Sequence, residues 1–103
     1  MVIIETPVFT RLINELFTDD EYKEIQESLV HRPDSGPVIP NGGGLRKLRW
    51  GIDGRGKSGG VRLIYYWVNE KEQIYMLLAY PKNVQENLTP EQLKALRKVV
   101  TNW

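Results

Sequence analysis

The segment Val61 to Val68 (VRLIYYWV) limits the possible folds more than any other stretch of the chain. It is too short to cross a membrane, rich in β-branched and aromatic residues, and apolar at both alternating sets of positions apart from Arg62. A strand that is apolar on both faces needs cover on both, which predicts the centre of a sheet rather than an edge. Asn69 to Glu72 reads as a polar turn, and Ile74 to Tyr80 (IYMLLAY) as a returning strand. Upstream, Leu45 to Trp50 alternates, so Lys47 and Arg49 share one face while Leu48 and Trp50 share the other.

The rest of the chain supplies helices. After a short strand at Val2 to Glu5, Thr6 precedes Pro7, a good first helical residue, and Phe9, Leu12, Ile13 and Leu16 form an apolar stripe. Thr18-Asp19-Asp20-Glu21 is a capping box opening a second helix with Tyr22, Ile25 and Leu29 on one side, ending before Pro33. Thr89-Pro90-Glu91-Gln92 opens a last helix that turns Leu93, Leu96, Val100 and Trp103 inward. Pro33 to Gly44, full of Pro and Gly, is a loop. The order β-α-α-β-β-β-α predicts an α+β domain: a small, twisted, mainly antiparallel sheet with an N-terminal helix hairpin on one face and a C-terminal helix. The face opposite the hairpin is expected to be free.

With 103 residues, 41% of them hydrophobic, the chain fits one domain over residues 1–103 and excludes a two-domain enzyme. It has no cysteine, so disulfides and thiolate metal sites are ruled out, and a reducing cytoplasm is the expected compartment. The first residues lack signal-peptide character, and no apolar run suggests a membrane partner. The net charge of +1 hides a strong asymmetry. Residues 1–30 hold 2 basic and 7 acidic groups, residues 31–69 hold 7 and 2, and residues 70–103 hold 5 and 4. A basic middle third is the footprint of a polyanion ligand.

Gly51 to Ser58 (GIDGRGKS) satisfies the pattern of a nucleotide-binding P-loop, but its context contradicts that reading. A P-loop needs a helix starting at the Lys-Ser pair, whereas Gly59-Gly60 leads into VRLIYYWV. The same residues read better as a basic hairpin that brings Arg55 and Lys57 to a phosphate chain. It joins the strand bearing Lys47 and Arg49 to the strand bearing Arg62, so these three converge on one sheet face. Arg62 is the sharpest residue, because a charge within an apolar run needs water, an ion-pair partner or an anionic ligand. Lys82 follows the next strand after Tyr80-Pro81.

The acid–base inventory narrows the chemistry. His31 is the single histidine and ends the second helix, so a two-histidine ribonuclease mechanism is not available. The sheet carries no paired carboxylates for magnesium, and capping or loop positions account for Asp19, Asp20, Glu86 and Glu91. No metal or other cofactor is expected. A cluster of Arg and Lys suits RNA, which supplies its own nucleophile, the 2′-hydroxyl. Arg62 and Arg49 would fork onto phosphate oxygens. Crowding by Arg46 and Arg49 should lower the Lys47 pKa enough for proton transfer, with the roles of the lysines left open. Arg46, Arg55, Lys57 and Tyr80 are the further candidates for RNA binding, whereas the other strand aromatics are core.

GGLRKLRW, GRGKSGG, VRLIYYW, AYPKN and LTPEQLKALRKVV together resemble the RelE superfamily of bacterial toxins, specifically its HigB branch. The resemblance implies a ribosome-dependent endoribonuclease that cuts messenger RNA in the decoding site and inhibits translation. It also implies a cognate helix-turn-helix antitoxin, with operator DNA met only through the antitoxin complex. The family's functional positions fall on Lys47, Arg49, Arg62 and Lys82. The C-terminal tyrosine of some members has no counterpart between Tyr80 and Trp103. Two other functions stay open: a ParE-like inhibitor of DNA gyrase with the same fold, against which the basic cluster argues because no polyanion need then be cut, and a non-catalytic RNA-binding module.

Overall fold

Thr6 begins the first helix as its sequence predicts, its hydroxyl accepting the Phe9 N–H at 3.1 Å. The computed structural model describes residues 1–51 and 60–102. Its elements run β1 (Val2–Glu5), α1 (Pro7–Leu16), α2 (Asp19–His31), β2 (Arg46–Trp50), β3 (Val61–Val68), a short 3-10 turn (Asn69–Lys71), β4 (Gln73–Pro81) and α3 (Pro90–Thr101). Both predicted capping boxes form, with Thr18 receiving Glu21 N–H and Thr89 receiving Gln92 N–H. Trp103 lies outside the described residues.

The strands form one sheet in the order β1-β4-β3-β2, antiparallel except for the β1–β4 pair. β3 is central, as its two-sided apolar pattern requires. One face packs beneath the α1–α2 hairpin, where Phe9, Ile13, Ile25 and Leu29 meet Leu48, Val61, Leu63, Tyr65 and Ile74. Tyr22 closes this layer, its ring 5.9 Å from Phe9 and its hydroxyl donating to Glu5 Oε2 at 2.6 Å.

The opposite face is not free, contrary to the sequence-based expectation. Val100, with Leu93 and Leu96 beside it, lays α3 across Leu45, Ile64 and Leu77, helped by Ile39 and Leu88 from the loops. The spacing of Leu93, Leu96 and Val100 already implies an apolar stripe that needs a sheet to rest on. With α1 and α2 occupying one face, the other was the place left for it.

One irregularity sets the phase of β4. Ile64 pairs with Leu78 but Tyr65 pairs with Met76, so Leu77 is an extra residue in the ladder. Leu77 and Leu78 consequently both join the α3 cluster, and Ala79 returns to the hairpin side. The Thr6 hydroxyl donates to the Leu77 carbonyl at 3.1 Å, tying this bulge to the start of α1.

Candidate active site

The β2–β3–β4 register places Arg49 opposite Arg62, and Arg62 opposite Tyr80, in a single row across three strands. Lys47 stands two residues along β2 on the same face as Arg49. Two arginines directly opposed are unfavourable without a counter-charge. Arg62 makes the arrangement more demanding, since it is only 5% exposed.

The counter-charge is Glu86. Its Oε1 sits 3.2 Å from Arg62 Nη2, with the Glu86 side chain about half exposed (48%) and that of Arg62 buried (6%). The Arg62 hydrogen bond, joined by the charges of Arg62, Lys82 and Lys47, holds the Glu86 carboxyl below its ordinary range. Arg62 Nε is buried with no hydrogen-bond acceptor among the described residues. The guanidinium is therefore held at one end by a residue that solvent can reach and keeps a donor in reserve.

Three neighbours complete the site. Lys47 Nζ donates to Asn87 Oδ1 at 2.7 Å. Partial burial, then the charges of Arg49 and Arg62, push the Lys47 ammonium below its usual pKa. Tyr80 hydroxyl reaches the Glu86 carbonyl at 3.5 Å, and burial raises its pKa. Lys82 is exposed, and its backbone N–H donates to Gly60 O at 2.8 Å, closing the mouth where β3 begins.

The structure thus brings together Lys47, Arg49, Arg62 and Tyr80, with Lys82 close enough for its charge to act on Glu86. Arg46 is directed elsewhere. It lies on the opposite face of β2, its Nη1 donating to Gly36 O at 2.9 Å and its guanidinium carbon 5.8 Å from the Trp67 ring centre. Lys47 is accordingly crowded by Arg49 and Arg62 rather than by Arg46. Arg55 and Lys57 lie outside the described residues, as do residues 52–58 of the P-loop match; where description resumes, Val61 opens a strand rather than a helix.

Sequence reasoning missed Glu86 and Asn87. It explained Glu86 as a loop or capping residue, yet Thr89 and Gln92 cap α3 without it. A carboxylate with no capping duty, four residues after Lys82, was the available signal. Asn87 offered none, because only the folded loop brings it to Lys47.

A family model for the RelE toxin of the RelE/RelB toxin-antitoxin system matches residues 5–103. The chain belongs to the RelE toxin family. The match takes in every element from α1 onward, including all the strands that carry the cationic row. A RelE toxin built this way presents an arginine and lysine cluster on the sheet face that α3 only partly covers. No helix among its described residues is long and apolar enough to cross a membrane.

Proposed function

We propose that this toxin is a HigB-type messenger RNA endonuclease that acts on the ribosome, in the decoding site, without metal. The observation that carries this reading is the Arg49–Arg62–Tyr80 row, with a buried guanidinium bound to a displaceable carboxylate. In the proposed reaction the 2′-hydroxyl attacks the adjacent phosphorus, a 2′,3′-cyclic phosphate forms, and the 5′-oxygen departs with a proton. Arg62 and Arg49 stabilise charge on the non-bridging oxygens, as fixed donors that need no reorganisation. Lys47 is the group best suited to proton transfer, and Lys82 supplies further positive charge. Arg55 and Lys57 are the further candidates for holding the RNA chain. Family membership implies an antitoxin partner, proposed to be a helix-turn-helix protein through which operator DNA is met indirectly. The proposed site of action is the cytoplasm.

The test is primer extension on messages after induction in cells, with purified ribosomes as a second arm. Discrete cuts on translated messages are expected. Inhibited supercoiling beside intact messages would instead make the chain a gyrase inhibitor, and RNA binding without cuts a passive module.

Two further results are expected. If Lys47 is the base, kcat/KM on ribosome-bound message rises with pH by about tenfold per unit, then levels off below the ordinary lysine pKa. The sign follows from the depressed pKa: raising pH increases the neutral form earlier than for a free lysine. By linkage, the unfolded chain binds this proton more tightly, so stability also rises with pH between the folded-state pKa and 10.5. A flat profile, or one unchanged in Lys47→Arg, removes Lys47 from proton transfer.

Glu86→Gln should tighten binding of a 2′-O-methylated, uncleavable RNA by about two- to fivefold, because the phosphate no longer competes with an internal carboxylate. Glu86 also opposes the depression of Lys47, so the pH rise should begin lower in this variant. Weaker binding would show that Glu86 supports the ligand instead.

A further inference from the structure

Glu86 and Asn87 are consecutive in the loop after β4, and each gives a side-chain oxygen to a different cation of the site. Glu86 Oε1 meets Arg62 Nη2 at 3.2 Å, and Asn87 Oδ1 accepts from Lys47 Nζ at 2.7 Å. The two acceptors are matched to what each cation can do. Arginine stays protonated, so a carboxylate beside it does not alter its charge. Lysine can lose its proton, and a carboxylate bonded to it would oppose that loss. A neutral amide oxygen holds the nitrogen while opposing the loss far less.

The Lys47 amine needs such a hold. Arg49 faces it from its own strand and Arg62 from β3, while Glu86 is the opposing charge from the loop. Both guanidiniums repel the ammonium, and a flexible stem gives it an easy route into solvent. Asn87, in contrast, is anchored. The Gln85 side-chain amide donates to the Asn87 carbonyl at 3.0 Å and to Gln92 Oε1 at 2.8 Å, and that oxygen also accepts Thr89 N–H at 3.0 Å in the capping box of α3. Leu88, the next residue, packs into the apolar cluster beneath α3. The Asn87 backbone is thereby tied to the start of a helix, and its side chain offers a placed acceptor to a mobile donor. The bond fixes direction as well. Once an N–H of the uncharged amine is committed to Asn87, its lone pair is turned away from the loop.

We infer that Asn87 is a positioning residue: it holds the Lys47 amine beside Arg49 and Arg62 against their repulsion, with Gln85 as its brace to α3. It acts through Lys47 and touches no reacting atom. The use of this hold in proton transfer rests on the proposed RNA cleavage, but the hold itself is measurable without RNA.

The experiment follows the Lys47 Nζ titration by NMR in the lysine-labelled full chain, with the signal assigned by Lys47→Arg, and pairs it with kcat and KM on ribosome-bound message. Urea denaturation checks that each variant is folded. In Asn87→Ala the released ammonium moves into water, so its pKa should rise toward the ordinary 10.5. Its kcat should stay about tenfold below wild type even at high pH, with KM little changed. Asn87→Asp keeps the acceptor and adds charge, so the Lys47 pKa should rise here too, but kcat should return to the wild-type value once the pH exceeds that pKa. Gln85→Ala leaves the Asn87 side chain in place without its brace and should give a smaller fall in kcat. Message cut by wild type, with Lys47 titrating alike in wild type and Asn87→Ala, would overturn the positioning role and leave the endonuclease reading standing. A kcat that Asn87→Asp fails to restore at high pH would overturn it as well. The expected titrations with no message cut by wild type would overturn the endonuclease reading and leave the hold on Lys47 standing.

Discussion

Arg62→Ala is expected to lower the proposed message cleavage by about 10²- to 10³-fold while the protein remains folded, the loss that follows when one fixed charge-stabilising donor is removed from a transition state. The fold should tolerate the change for an electrostatic reason. Arg62 is buried opposite Arg49, so its removal relieves a like-charge pair, and the Glu86 left behind is exposed enough to be solvated. Arg62→Lys keeps the charge but loses the fork, and should recover only a small part of the rate. Primer extension with wild type, Arg62→Ala and Arg62→Lys, each checked by urea denaturation, measures both quantities. A folded Arg62→Ala that cuts like wild type would remove the centre of the proposed site.

Tyr65→Phe is expected to cost about 2–4 kcal/mol of stability, a large share of what a domain of this size has. Tyr65 is fully buried, and its hydroxyl donates to Pro33 O at 2.6 Å while accepting Gly36 N–H at 2.9 Å. Phenylalanine fills the same space and leaves both backbone groups unsatisfied. The neighbourhood has no slack to repair this. A Cβ on Gly36 would approach Tyr65 Cε1 to 2.8 Å and the Lys47 carbonyl to 3.0 Å, so the loop lies against the ring and β2 at closest packing. Because the same loop continues as an added edge on β2, where Lys47 N–H donates to Pro37 O, Tyr65→Phe should also speed hydrogen exchange across it. Thermal denaturation and hydrogen exchange at residues 33–40 check both effects. A melting temperature within a degree of wild type would show that the loop is held by other contacts.

The parts of the molecule that follow from local chemistry were legible in the sequence. Capping residues, strand alternation and the two-sided apolar character of Val61 to Val68 led to the element order and to the shared face of Lys47, Arg49 and Arg62, because each depends on neighbours a few residues away. The covered second face was not legible from pairwise periodicity. It depends on where α3 finds an unoccupied surface after the hairpin has docked. Arg46 shows the same limit at the site: adjacency to Lys47 suggests a common cluster, but pleating sends consecutive side chains to opposite faces. Glu86 and Asn87 belong to an irregular loop whose course is set by long-range closure, including the bond from Lys82 N–H to Gly60 O.

The extra Leu77 in β4 carries a consequence for how this protein can change over evolutionary time. Tyr80 faces Arg62 by parity: with an uninterrupted ladder after Met76, the alternation would carry Tyr80 beneath the helix hairpin and Ala79 to the cationic face. Residue identity at position 80 therefore matters only in combination with an odd insertion several residues earlier. A lineage can exchange Leu77 for another apolar side chain with little effect on the cationic face. Losing the residue altogether would leave every functional letter in place and scramble their geometry, so tolerance to deletion here should be far lower than tolerance to substitution.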